Sequence, residues 1–297
     1  MKKKLISIVI NCFNGEKFLS QTLQSVTSQK YKNFEVIFID NCSTDKSAKI
    51  FQSIKDKRFK YFKTKKKINL YKARNFAIKR CKGEFVAFLD ADDWWDKNFL
   101  SSRKSFYNSS KEYGFAFSNC FHYFENKKNL KIFFKSKLPS GFILDDLLQY
   151  YSVKLSTIIV KKRLIDIFKF NARYNIIGDY DFIIRIAEKF KGMSFQDKLV
   201  YIRIHSQNYT HNNRGRFYKE FKHWTSNQNY KDFYFKKNKS NIMNQLQYLK
   251  LINLLLNYKR FKLLFDILKY PFGLSKLKLL LIYFLPKFLI KLKIKYF

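Results

Sequence analysis

Short apolar runs alternate with helical stripes through the first hundred residues. Residues 6–10, 35–39 and 85–89 are runs rich in branched and aromatic side chains, each short enough for a strand buried on both faces. Between them, residues 15–29 set Phe18, Leu19, Leu23 and Val26 on one stripe. A segment that Ser43 or Thr44 can cap carries Ala48, Ile50, Phe51 and Ile54, and residues 71–80 carry Ala73, Phe76, Ala77 and Ile78. The order is β-α-β-α-(β)-α-β. It predicts an α/β fold whose mostly parallel sheet is flanked by helices and joined by right-handed crossovers. Ligands of such sheets bind beyond the carboxyl ends of the strands, so the polar residues after each apolar run are the candidates for chemistry.

Composition narrows the class. The chain has 297 residues, 60 Lys plus Arg against 22 Asp plus Glu, and a formal charge of +38. With 46% hydrophobic and 19% aromatic residues it can build a full core, which excludes a disordered polybasic tail. Such a charge suits a nucleic-acid binder, a protein of anionic membrane surfaces, or a Lys-rich composition without a specific partner. The cysteines at 12, 42, 81 and 120 lack C-x-x-C spacing and read as reduced interior thiols. The N-terminal lysines precede an apolar run that ends at Asn11, which reads as a first strand rather than a signal peptide. No stretch approaches the roughly 18 apolar residues of a membrane-spanning helix; residues 279–285 come nearest.

The strand ends are distinctive. The first runs into Asn11-Cys12-Phe13-Asn14-Gly15, the second into Asp40-Asn41-Cys42-Ser43-Thr44-Asp45, and the later one into Asp90-Ala91-Asp92-Asp93-Trp94-Trp95. Asn14-Gly15 and Ser43-Thr44 are ordinary turn formers. Three carboxylates within four residues after a buried strand repel one another unless a cation compensates, and their hard oxygens suit Mg²⁺ or Mn²⁺ with a ligand's phosphates completing the shell.

In this order the motifs resemble the family 2 glycosyltransferases of GT-A fold. Residues 7–14 are similar to the family's opening strand, 34–45 to its nucleoside strand, Ala73-Arg74-Asn75 to the following helix and 83–93 to the D-x-D strand. Gly178-Asp179-Tyr180-Asp181-Phe182 and Tyr201-Ile202-Arg203-Ile204-His205 resemble the acceptor-side motif and the closing element. The resemblance covers residues 5–210 and implies inverting transfer of a sugar from a nucleotide-diphospho-sugar, a UDP-sugar by this reading, to a hydroxyl of a glycan or lipid-linked acceptor. It implies that Phe13 and Asn14 lie against the nucleoside with Asp40 and Asn41, that Asp90 faces the ribose, and that Arg74 lies near the base or diphosphate. Asp92 and His205 would hold the metal, and Asp179 would be the general base. A helix start there, carrying Phe182, Ile183, Ile186 and Ala187, is compatible with that role, and Asp181 is spaced to pair with Arg185.

The chain departs from the pattern in places. Asn41 stands where relatives often carry a second Asp that accepts from the base. Gly178-Asp179 stands where they commonly show Glu-Asp, and Tyr71 and Ala77 stand where glycines often flank Ala-Arg-Asn. From about residue 212 the motifs stop. Residues 251–297 hold ten Lys or Arg and one acid, Asp266, among Leu, Ile, Phe and Tyr, with Pro286 interrupting the apolar pattern of 277–297. Two regions follow: a catalytic domain, 1–212, and a basic helical extension, 213–297, that either packs on the catalytic domain or lies on an anionic membrane. Cell-surface polysaccharide or lipooligosaccharide synthesis at the inner face of the cytoplasmic membrane is the implied setting. The alternatives are a nucleic-acid or anionic-surface binder on a degenerate scaffold, which lacks a recognisable binding module, and a sugar nucleotidyltransferase, which needs a Gly-rich basic loop after strand one.

Overall fold

The computed structural model describes residues 4–109, 111–256 and 263–285. Two compact units, Met1–His205 and Ser206–Phe297, divide ahead of the expected boundary at 212. The first unit begins with β1 (Ile6–Cys12), α1 (Glu16–Thr27), β2 (Phe34–Asp40), α2 (Ser47–Gln52), β3 (Phe59–Lys63), α3 (Leu70–Ile78) and β4 (Phe85–Phe88). It continues with β5 (Trp94–Trp95), α4 (Lys104–Tyr107), β6 (Tyr113–Ser118), β7 (Phe121–Phe124), β8 (Asn129–Ile132), α5 (Leu144–Gln149) and β9 (Ile159–Lys161). It ends with α6 (Lys162–Phe168), α7 (Gly178–Ala187), β10 (Lys191–Phe195) and β11 (Val200–Ile204).

Seven strands form the main sheet in the order β10-β6-β9-β4-β1-β2-β3. Only β9 runs antiparallel to its neighbours, β4 and β6. From β1 the chain moves outward to β2 and β3, then returns across β1 to β4, and this reversal opens a crevice at the carboxyl ends of β1 and β4. Strand periodicity places Ile6, Ile8 and Ile10 of β1 in one core with Leu19, Leu23 and Val26 of α1 and Phe38 and Phe51. Each such side chain contributes about 1.5–3 kcal/mol on burial. On the opposite face, Ser7 Oγ donates to the buried Glu35 carboxylate at 2.7 Å and Lys60 pairs with it at 2.6 Å, so the charge is compensated.

Local chemistry adjusts two of the expected helices. Neither Ser43 nor Thr44 caps α2, which begins only at Ser47, where Asp45 Oδ1 accepts from the Ser47 N–H at 3.0 Å; Ile54 lies beyond its end. Asn69 caps α3 by accepting from the N–H groups of Tyr71 and Lys72. A second sheet, β5-β11-β7-β8, sets β11 antiparallel to β5 and parallel to β7. Trp94 and Tyr201, directly opposite on β5 and β11, stack at 5.0 Å. All four cysteines are free.

The second unit consists of α8 (Tyr209–Asn212), α9 (Arg214–Ser226), α10 (Phe233–Lys237), α11 (Lys239–Leu256), α12 (Leu263–Lys269) and α13 (Leu274–Phe284). Leu251, Ile252 and Leu255 of α11 close a small core with Leu263 and Ile267 of α12 and Leu279 and Ile282 of α13. The final basic residues, Lys287 to Lys295, lie outside the described residues. Among the described residues no helix is long and apolar enough to cross a membrane.

Candidate active site

The loop after β1 is built to meet the loop after β2. Asn14 adopts the left-handed region, φ 52°, which its short polar side chain tolerates. Its N–H donates to Ser43 Oγ at 3.1 Å and its Oδ1 accepts from the Thr44 N–H at 2.9 Å. Gly15 follows, donating to Ser47 Oγ at 2.9 Å. A Cβ on Gly15 would lie 2.8 Å from Cys12 Sγ, so the chain turns into α1 this tightly only with glycine. Phe13 remains 41% exposed, with Lys67 Nζ 3.4 Å from its ring centroid. An open aromatic face beside a cation suits a stacked base and a nearby phosphate.

Asp40 and Asn41 lie beneath this rim, both buried. The Asp40 carboxylate is fully buried, accepting from the Ser43 N–H at 2.7 Å and from the Tyr61 hydroxyl, and so holds the turn. The Asn41 side chain donates to Ile68 O at 2.8 Å and accepts from Ile68 N at 2.9 Å and Thr64 Oγ1 at 3.2 Å. Its amide is therefore spent on the loop that carries Lys67.

The three carboxylates after β4 have three different environments. Asp90 pairs with the buried Arg74 of α3 at 2.7 Å, while its own side chain reaches the surface. Although part of the side chain is exposed, the protein atoms crowded around the Asp90 carboxyl and the charge of Asp92 push it upward in pKa, against the pull of Arg74. Asp92 Oδ2 lies 2.9 Å from His205 Nε2, although 113 positions separate the two in sequence. Asp93 points inward, accepting from Ser156 Oγ at 2.6 Å and from the Arg203 N–H at 2.9 Å; burial, with its two acidic neighbours, holds its pKa well above the usual carboxylate range. Arg203 secures the turn from β11. Its Nε donates to Asp92 O at 2.9 Å, its Nη1 donates to Glu125 at 2.5 Å, its Nη2 donates to Gln21, and its guanidinium lies 4.4 Å and 4.6 Å from the Phe18 and Trp94 ring centroids. Two-residue spacing along the extended chain places Arg203 and His205 on one side, which explains why both meet the acidic turn.

Asp92 and His205 offer one carboxylate oxygen and one imidazole nitrogen facing each other, donors that Mg²⁺ and Mn²⁺ both accept. No group of three or more His, Cys, Asp or Glu side chains is arranged for a metal among the described residues. A two-donor set fits an ion whose remaining positions are taken by diphosphate oxygens and water.

Asp179 lies in the first turn of α7, where a carboxylate interacts favourably with the helix dipole. Its Oδ1 lies 3.1 Å from the Tyr71 hydroxyl. Its charge acts on Asp90 and Arg74, so the three side chains share one site. Asp181 pairs with Arg185 at 2.9 Å, the expected structural bridge.

Arg74, Asp90, Asp92, Asp179 and His205, all expected from sequence, thus meet around one crevice. Sequence reasoning missed the inward turn of Asp93 and the work of Arg203; a third acid in a crowded turn and an Arg two residues before the histidine were the available signals. It also missed Asn11 and Tyr151. Both amide atoms of Asn11 and the hydroxyl of Tyr151 are buried without a hydrogen-bond partner among the described residues, and Tyr151 feels the charge of Asp179.

Strand order, switch-point crevice and acidic turn together define a GT-A glycosyltransferase fold. Residues 7–146 match the family model described as glycosyl transferase family 2. It is 34% identical over 159 residues to the Escherichia coli UDP-Glc:alpha-D-GlcNAc-diphosphoundecaprenol beta-1,3-glucosyltransferase WfaP, covering 54% of this chain and 61% of WfaP. It is 30% identical over 195 residues to the Erwinia amylovora amylovoran biosynthesis glycosyltransferase AmsB, covering 62% and 64%. The chain thus spans less than two thirds of either relative. Staphylococcus aureus TarS 1-349, solved in complex with UDP-GlcNAc, superposes with a TM-score of 0.63 at 17% identity over 88% of each chain. The mannosyltransferase PcManGT of Pyrobaculum calidifontis, solved with GDP-Man and Mn²⁺, gives 0.60 at 14% identity over 84% of this chain and 72% of its own. At these identities the likeness is one of fold.

Proposed function

We propose that the protein is an inverting, metal-dependent glycosyltransferase that moves a sugar from a UDP-sugar to a hydroxyl of a lipid-linked glycan in cell-surface polysaccharide synthesis. The observation that carries the reading is the convergence of Asp92 with His205 and of Arg74 with Asp90, with the charge of Asp179 acting on that second pair. Phe13 offers the base an aromatic face, and Asp90, held by Arg74, is positioned for the ribose. When bound, a Mg²⁺ or Mn²⁺ ion held by Asp92 and His205 supplies positive charge to the departing diphosphate. Asp179 takes the proton of the acceptor hydroxyl while that oxygen bonds to the anomeric carbon. The bond from that carbon to the phosphate oxygen breaks with its electron pair leaving on the diphosphate, so the centre inverts. TarS and PcManGT were solved with a UDP-sugar and with GDP-Man and Mn²⁺ respectively, and the name of WfaP specifies a diphosphoundecaprenol-linked acceptor; both support the reading.

Thermal stabilisation tests the donor site. UDP-glucose, UDP-GlcNAc, UDP and GDP-mannose, each with and without Mn²⁺, are expected to include one ligand whose stabilisation requires the metal. No shift with any of them, together with tight salt-sensitive binding to nucleic acid, would replace this reading with a binding function built on the +38 charge.

A lipid-linked acceptor also calls for access to a membrane, which we place at the inner face of the cytoplasmic membrane. On α12, α13 and the turn between them, Phe265, Phe272, Leu274, Leu281 and Phe284 are more than half exposed, and Lys269, Lys276 and Lys278 lie among them in sequence. Exposed apolar side chains flanked by lysines suit the headgroup region of an anionic bilayer. Truncation from Leu277 is expected to lower co-sedimentation with phosphatidylglycerol vesicles; unchanged sedimentation ends the membrane assignment.

A further inference from the structure

We infer that Tyr71 is the positioning residue of the acceptor-side base: its hydroxyl holds Asp179 Oδ1 and leaves Oδ2 to receive the proton. The inference rests on the reading of Asp179 as the base.

Tyr71 occupies the first turn of α3, where Asn69 Oδ1 accepts its backbone N–H at 2.8 Å. The ring is 1% exposed and lies 5.4 Å from the Phe170 ring. It also lies flat against the start of α7. A Cβ at Gly178 would come within 2.5–2.7 Å of three Tyr71 ring carbons, so Tyr71 and Gly178 form one steric unit. This accounts for Tyr71 and Gly178, two of the departures noted in the sequence: the ring leaves no room for a side chain at 178, and its hydroxyl brings a neutral donor to Asp179.

The hydroxyl has one proton and two acceptors, Ile176 O at 2.9 Å and Asp179 Oδ1 at 3.1 Å. Burial raises the phenol's pKa well above its ordinary value, so it remains a donor. While Asp179 is ionised, the charge-assisted bond to Oδ1 is the stronger. Oδ2 makes no hydrogen bond to a described residue and stays available to the acceptor hydroxyl. When the acceptor's proton arrives on Oδ2, the carboxyl becomes neutral and the phenol O–H can turn to Ile176 O. Tyr71 keeps its own proton throughout, and no buried donor is orphaned in either state. Arg74 follows Tyr71 by three residues on α3 and pairs with Asp90, so one helical turn supports both halves of the site.

Tyr71→Phe keeps the ring against Gly178 and removes only the hydroxyl. The assay is release of UDP from the UDP-sugar that stabilises the protein, with water standing in for the acceptor hydroxyl. We expect kcat to fall roughly tenfold or more, the range of a hydrogen bond to a charged group, with donor KM and the Mn²⁺-dependent thermal shift unchanged. In an Asp179→Asn background the same change should cost nothing further, because the two side chains act as one unit. If Tyr71→Phe hydrolyses at the wild-type rate while Asp179→Asn is inactive, the positioning role is wrong and the base assignment survives. If Tyr71→Phe raises donor KM in step with its loss of rate, its role is packing and the inference fails. If Asp179→Asn is itself fully active, the base assignment fails and takes the inference with it.

Discussion

Asp179→Asn is expected to lower sugar transfer by about 10²–10⁴-fold, the contribution typical of a positioned general base, while leaving donor binding intact. The substitution preserves shape. Asn Oδ1 can still accept from the Tyr71 hydroxyl, which lies 3.1 Å from that atom in the native protein, so α7 should begin as before. What is lost is an oxygen able to take a proton. Asp179 is held by Tyr71, whereas Asp92 and His205 face each other, so the Mn²⁺-dependent thermal shift with UDP should match that of the wild type. Transfer activity within twofold of wild type would remove Asp179 from the reaction, and loss of the UDP shift would make it a binding residue instead.

Asp92→Asn has the converse signature. An amide is a poor ligand for a hard divalent ion and carries no charge, so the Mn²⁺-dependent part of the UDP thermal shift should disappear. Turnover should fall at least about 10²-fold, since charge stabilisation of a leaving diphosphate is worth several kcal/mol. Stability of the free protein should not suffer. The charge of Asp92 raises the pKa of both Asp90 and Asp93, which means that it strains the turn after β4. Neutralising it relieves like-charge repulsion, so Tm without ligand should be unchanged or higher. A Mn²⁺ titration indistinguishable from wild type would show that the ion is held elsewhere, and a large fall in Tm would show that Asp92 serves the fold.

The outcome at each position follows from how local its cause is. The strands β1, β2 and β4 and the helices α1 and α3 were readable because an apolar run or stripe carries its own period. The start of α2 was not. Ser43 and Thr44 both have capping chemistry, but Asn14, brought alongside by the parallel pairing of β1 with β2, engages both loop positions. The buried settings of Asp40 and Asn41 were hidden for the same reason. Their partners, Tyr61 and Ile68, belong to the strand and loop that follow α2, and nothing local to residues 40–41 announces them.

The sequence by itself determined the class of fold and the acidic turn, because these depend on residue type and order within short windows. The tertiary structure alone decided the surroundings of each carboxylate. Asp90, Asp92 and Asp93 are chemically identical acids on one turn. They diverge because Arg74 comes from α3, His205 from beyond β11, and Ser156 from the segment before β9. A carboxylate's role is set by the charge, donor or solvent within a few ångströms of it, and in this chain those neighbours lie 16, 113 and 63 residues away.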